Sequence, residues 1–164
     1  MKDNELALRI VQDHEKLDRT FSDLETTFIH IMEAGQGAEE RDALEDARAD
    51  LAFALEEMLE HFGIEEEAIF DHLRVALPDL APRLDALEAN HESFCAHTAT
   101  LRKMVAAANA GAVPLDCEDA LRILRKLKGA LIHHNSAEVQ LFLEALGRLD
   151  DEGQRLLREN LDRL

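Results

Sequence analysis

Apolar residues spaced three and four apart run along four stretches of this chain, and three clusters of helix breakers cut the stretches apart. The clusters are Gly35-Gln36-Gly37, Pro78 to Pro82, and Gly111 to Pro114. Between them lie segments of about 30, 40, 28 and 32 residues, each with the repeat that puts apolar side chains on one helix face. The first stripe is Ile10, His14, Leu17, Phe21, Leu24, Phe28 and Ile31. The second is Leu51, Ala54, Met58, His61, Glu65 and Ala68. The third is Leu84, Leu87, His91, Phe94, Thr98, Leu101 and Val105. The fourth is Leu124, Leu127, Leu131, His134, Glu138, Leu141 and Ala145. A polar turn, Asp150-Asp151-Glu152-Gly153, precedes a small helix expected over Gln154 to Arg163. Four helices with one inner face each, joined by short loops, predict an all-α, up-down-up-down antiparallel four-helix bundle with a short C-terminal helix. At 164 residues the chain reads as one domain over residues 1–164, large enough to bury a sizeable core.

Polar residues interrupt these stripes: His14, His61, Glu65, His91, His134 and Glu138. Burying a polar group without a partner costs a few kcal/mol, so each needs a reason to be there. They also fall at one level. With turn centres near residues 36, 79 and 113, His14 lies 22 residues before the first turn and His61 lies 25 after it. Glu65 lies 14 before the second turn and His91 lies 12 after it. His91 lies 22 before the third turn and His134 lies 21 after it. At a rise of ~1.5 Å per residue these offsets amount to a few ångströms. The order repeats as His, His-x-x-x-Glu, His, His-x-x-x-Glu, and an i, i+4 pair shares one helix face. A single histidine on an apolar face is more often a hydrogen-bonded core residue than a ligand. Six such groups in one layer instead predict a metal centre, with space for two ions and glutamates placed to bridge them.

The remaining composition narrows the function. The formal net charge is −17, from 35 acids and 18 bases, and such a surface repels phosphate backbones, so nucleic acid is not an expected partner. Most of the excess reads as a solvated acidic exterior. The two cysteines, Cys95 and Cys117, form no CxxC and no disulfide framework, which suggests a reducing compartment. The N-terminal MKDNELALRI lacks the apolar core of a signal peptide, and no apolar run approaches the ~20 residues that span a bilayer. The expected location is the cytoplasm, with no membrane contact.

The pieces DHEKLDRTF around His14, HFGIEEEAIF with His61 and Glu65, NHESF with His91, and HNSAEVQLF with His134 and Glu138 resemble the hemerythrin-like family, also called the HHE cation-binding domain. The resemblance runs from Asp13 to about Leu146. HxxxE alone is a weak motif, but these pieces in this order are specific. The resemblance implies a non-haem centre of two iron ions with carboxylate bridges and reversible O₂ chemistry; zinc and manganese are the other candidate metals. It also implies that some members sense oxygen or iron, repair iron centres damaged by nitric oxide, or bind other cations.

This chain departs from the oxygen carriers of that family in two places. They carry a second histidine one turn after the first on the third helix, where this chain has Cys95. On the fourth helix they space His and Asp by five residues, where His134 precedes Glu138 by four. His133 would restore that spacing, but helical phase favours His134. Cys95 reads as a small buried hydrophobe in preference to a thiolate ligand. Glu66 and Glu67 read as solvated, with Glu66 placed to accept from an imidazole N–H. His72 reads as a partly exposed terminal histidine, His30 and His97 as surface or boundary residues. The phenylalanines read as core, with a secondary role as an apolar wall at the site.

The expected function is a metal-binding protein that binds or senses O₂, a related diatomic, or iron itself. Two alternatives belong to other classes: a di-iron enzyme acting on peroxide, nitric oxide or Fe(II), and a regulatory module stabilised by its metal. The expected partners are metal ions and a small diatomic, and a protein partner would be needed for any regulatory output.

Overall fold

The computed structural model describes the backbone of residues 3–34 and 37–164, with side chains from His14 onward. The side chain of the stripe position Ile10 and the breaker residues Gly35 and Gln36 therefore lie outside what is described. Among the described residues the chain is all helical and contains no strand. Helix α1 spans Asp3–Ala34 and α2 spans Ala38–Ile64. A π-helical segment, Glu65–Phe70, and α3, Asp71–Ala76, continue α2 without leaving helical backbone angles. A 3₁₀ turn at Pro78–Leu80 leads into α4, Ala81–Asn109. Helix α5 spans Cys117–Arg148 and α6 spans Asp151–Leu161.

The breakers act as their chemistry requires. Leu77, the residue before Pro78, leaves the helical region at φ −135° and ψ 71°. Gly111 sits at φ 69°, a left-handed conformation that follows the end of α4 and that a side chain would strain. Asp116 caps α5 by accepting from the Asp119 N–H at 3.0 Å.

Helix α1 packs on α2 and α5, and α4 packs on the same two helices. Pairs between helices fix the registers. Lys16 Nζ meets Glu57 Oε2 at 2.6 Å across α1 and α2, and Asn109 donates to Glu45 at 3.0 Å across α4 and α2. Arg125 and Lys128 of α5 reach Glu25 of α1 at 2.7 and 2.8 Å. Arg83 of α4 pairs with Glu144 of α5. Such exposed pairs contribute under about 1 kcal/mol each, so they report register more than they stabilise it.

Stability comes from the stripes. Each fully buried Leu, Ile or Phe contributes roughly 1.5–3 kcal/mol. The described stripe positions of α1, α4 and α5 are buried as the spacing predicts. The apolar interior falls into two blocks. One, including Phe21, Phe28, Leu51 and Leu101, lies toward the loops that join α1 to α2 and α4 to α5. The other, including Leu73, Leu84, Phe142 and Leu157, lies toward the 3₁₀ turn and α6. The polar stripe residues lie between them.

Two expectations need correcting. The second stripe does not run through Ala68, which is only half-buried; Phe62, Ile69 and Phe70 are buried instead. The π turn holds an extra residue, which rotates every position after Glu65 relative to an ideal α-helix. The C-terminal helix runs from Asp151 to Leu161 and not from Gln154 to Arg163. Asp150 is its N-cap, accepting from the Gly153 N–H at 2.8 Å, and Asp151 and Glu152 sit in its first turn, where negative charge is favoured.

Candidate metal centre

Each long helix delivers its polar residues to one small volume. Helix α1 supplies His14, α2 supplies His61, the π segment supplies Glu65 as its first residue, α4 supplies His91, and α5 supplies His134 and Glu138. All are buried except His61, which remains 12% exposed. The imidazole Nε2 atoms face one another in pairs, His14 with His61 at 3.1 Å and His91 with His134 at 3.2 Å. The carboxylates stand among them. Glu65 Oε1 is 2.8 Å from His61 Nε2, and Glu65 Oε2 is 3.2 Å from His91 Nε2. Glu138 Oε2 is 3.2 Å from His14 Nε2.

This donor set suits a cation. One proton can bridge an Nε2 pair, but it cannot also serve the carboxylate oxygens facing the same nitrogens. The Glu65 and Glu138 carboxyls also contact each other in the interior, where two negative charges need positive compensation. A divalent ion accepts these lone pairs together. Two sets of ligand atoms lie close enough to hold an ion: His14, His61 and Glu65, and Glu65, His91 and His134. Glu65 belongs to both.

Electrostatics keep the groups in ligand form. The His134 imidazole is pushed down to about 3, by burial first and then by His91, so it stays neutral at ordinary pH. Burial pushes the Glu65 carboxyl up, but the neighbouring His61 first, and the close approach of Glu138 and His91, outweigh it and hold it well below the usual range; neither of its buried oxygens has a hydrogen-bond partner of its own among the described residues.

Further residues orient the rings. Glu66 Oε1 lies 2.7 Å from His91 Nδ1. A carboxylate only accepts, so that nitrogen carries the proton and Nε2 presents its lone pair to the centre. Phe62 stacks on the His91 ring at 3.9 Å and 3°, and Phe70 stacks at 5.7 Å and 19°. Phe94 meets His134 edge-on at 5.2 Å. The Asn90 amide lies 3.5 Å from His134 Nδ1, a contact for which the sequence holds no signal.

The structure thus brings five of the six singled-out residues into the two ligand sets and places the sixth, Glu138, against His14 but in neither set. His133 is exposed and His134 buried, as helical phase favours. Cys95 is half-buried against the core and stands outside both ligand sets; burial, then the Glu66 charge, raise its thiol, which disfavours the thiolate. His30 is exposed, and His97 contacts the Ser93 carbonyl through Nδ1 at 2.6 Å on the outer face. His72 is half-buried away from the centre.

A family model described as the hemerythrin HHE cation binding domain matches residues 6–146. No curated protein and no solved structure matches the chain. The matched span includes every one of the converging histidines and glutamates and ends before α6. The chain belongs to the hemerythrin HHE cation-binding domain family.

Proposed function

We propose that this protein holds two non-haem iron ions in the layer between its two apolar blocks and uses them to bind or sense O₂ or a related diatomic. The observation that carries this reading is the placement of Glu65. Its two carboxylate oxygens face two different histidine pairs, one on each side. A carboxylate so placed would serve two ions at once. His14 and His61 would hold one ion with Glu65 Oε1, and His91 and His134 the other with Glu65 Oε2. Glu138 lies on the His14 side. Imidazole and carboxylate ligands with open positions suit iron, with zinc and manganese as competitors.

The antiparallel up-down-up-down order of four long rods fits this reading, as does one domain. The pairs joining Lys16 to Glu57, Glu25 to Arg125, Asn109 to Glu45 and Arg83 to Glu144 support opposite directions for packed neighbours. Two free cysteines suit a reducing compartment such as the cytoplasm. No helix among the described residues is long and apolar enough to cross a membrane.

The bound irons would supply electrons and open coordination positions for a diatomic ligand. The chain's own residues do the rest. Glu66 keeps the His91 proton on Nδ1. Phe62, Phe70 and Phe94 wall the His91 and His134 imidazoles with apolar surface. A cleft of about 200 Å³, partly open to solvent, reaches His14 between α1 and α5, lined by Leu17, Phe62, Leu131 and Ile132 together with Glu15, Asp18 and Asn135, and would give a small ligand a path to the centre.

The test is metal analysis of protein purified without oxygen, followed by reversible oxygen exposure. Two irons per chain and a visible absorption band that appears with O₂ and fades on its removal are expected. One ion per chain, or zinc alone, would overturn the paired-iron reading. A spectrum indifferent to oxygen would overturn the diatomic reading.

A further inference from the structure

The π segment carries more of the centre than its length suggests. Within Glu65–Phe70 lie the carboxylate common to both ligand sets, the carboxylate that fixes the His91 tautomer, and a phenylalanine stacked on His91. Such a segment needs support. Its hydrogen bonds span five residues, as in the Asp71 N–H donating to the Glu66 carbonyl, a pattern that is rare and that persists where the surrounding structure holds it.

That support comes from outside the family-matched residues. Helix α6 packs on the π segment as well as on α5. Leu157 and Leu161 are buried in the same apolar block as Ile69 and Phe70. Asn160 Nδ2 donates to the Ala68 carbonyl at 3.0 Å, bridging 92 residues of sequence. The acceptor is a main-chain oxygen, so the amide nitrogen must be the atom that faces it. This is a side-chain hydrogen bond made directly to the backbone of the π turn, three residues beyond Glu65.

We propose that α6 is a brace for the metal centre, with Asn160 a positioning residue that holds the π turn so that Glu65 meets both histidine pairs. The effect on metal rests on reading Glu65 as the shared ligand. The mechanical part, that α6 restrains the π turn, does not.

The experiment compares full-length Asn160→Asp, Asn160→Gln and Arg155→Ala proteins with wild type. Asn160→Asp keeps the shape of the side chain but replaces the donor with an acceptor facing a carbonyl. Asn160→Gln keeps a donor. Arg155 lies on the exposed side of α6, paired with Glu152 and Glu159. Two quantities are read: amide hydrogen exchange across residues 62–76 of the metal-free protein, and anaerobic Fe(II) affinity by competition with a chelator.

Asn160→Asp is expected to speed exchange in the π segment about tenfold or more and to weaken Fe(II) binding about ten- to a hundredfold, the range for residues that orient metal ligands. Asn160→Gln should recover part of both, and Arg155→Ala should change neither. Unchanged exchange over residues 65–70 in Asn160→Asp overturns the brace, even if α6 itself loosens. Faster exchange with unaltered Fe(II) affinity overturns the positioning role. If wild type binds no Fe(II), the functional reading fails while the exchange comparison still decides the brace.

Discussion

Removing the Glu66 carboxylate should weaken metal binding about tenfold without unfolding the protein. Glu66 Oε1 accepts from His91 Nδ1 at 2.7 Å, a short contact to an ionised group. Hydrogen bonds of that kind contribute about 1.5–3 kcal/mol. Two features argue for the low end. Glu66 is 33% exposed, so solvent screens its charge. Phe62 and Phe70 also stack on the His91 ring and keep much of its orientation when the carboxylate is gone. A loss of about 1.4 kcal/mol corresponds to about tenfold in affinity. In Glu66→Ala water reaches the Nδ1 proton, so the unfolding midpoint of metal-free protein should stay close to wild type. Glu66→Gln retains a neutral acceptor of the same length and should lose about threefold or less. The assay is chelator competition with Fe(II) or Zn(II) beside a denaturant melt of the metal-free proteins. Wild-type affinity in Glu66→Ala would refute the orienting role, and equal losses in Ala and Gln would refute the reasoning from an acceptor at Nδ1.

Three other outcomes follow from the same geometry. His61→Ala and Glu138→Ala should each sharply lower metal content after purification, while His97→Ala, on the outer face, should not; equal content in all three would remove the ligand assignment. Asp150→Ala removes the acceptor for the Gly153 N–H and should cost about 1 kcal/mol, read as a lower thermal midpoint; an unchanged midpoint would deny the cap any weight. The metal-free protein should lose stability as pH falls. His134 is held near 3 when folded against 6.5 when unfolded, so between those values the unfolded chain binds the extra proton. The expected slope is up to about 1.4 kcal/mol per pH unit for that one group. The depressed Glu65 acts in the same sense, its contribution fading as pH drops below about its unfolded value of 4.5. Denaturant midpoints at several pH values check this, and His134→Leu should flatten the profile above pH 5.

Much of the architecture was legible because side-chain burial writes itself into spacing. On α4 the stripe from Leu84 to Val105 matches the buried residues position for position, His91 and Thr98 included. The six polar residues could be found because polarity inside such a stripe is costly and therefore visible. Backbone hydrogen-bond register leaves no such mark. Met58, Glu65 and Leu73 keep a plausible count of threes and fours across the π turn, so nothing in the letters shows the added residue that buries Ile69 in place of Ala68. The start of α6 was legible in principle, as Asp150 with Asp151 and Glu152 behind it forms a capping signature. Gly153 masked it by reading as a breaker, whereas it packs as a helix residue within reach of Leu149 and Asp150, where an added Cβ would lie 3.0 Å from Leu149 Cδ2. Asn160 was invisible because its meaning depends on a carbonyl that folding alone brings near.

The division of the interior has a mechanical meaning. A stratum of imidazoles and carboxylates separates two oily compartments, and it contributes little cohesion of its own when no cation neutralises it. The long helices cross that layer unbroken, so ions held there would tie the two compartments together and should raise the free energy of opening either end. Occupancy would then be legible to any protease or partner that probes how readily one end lets go, with no change in the shape of the resting fold.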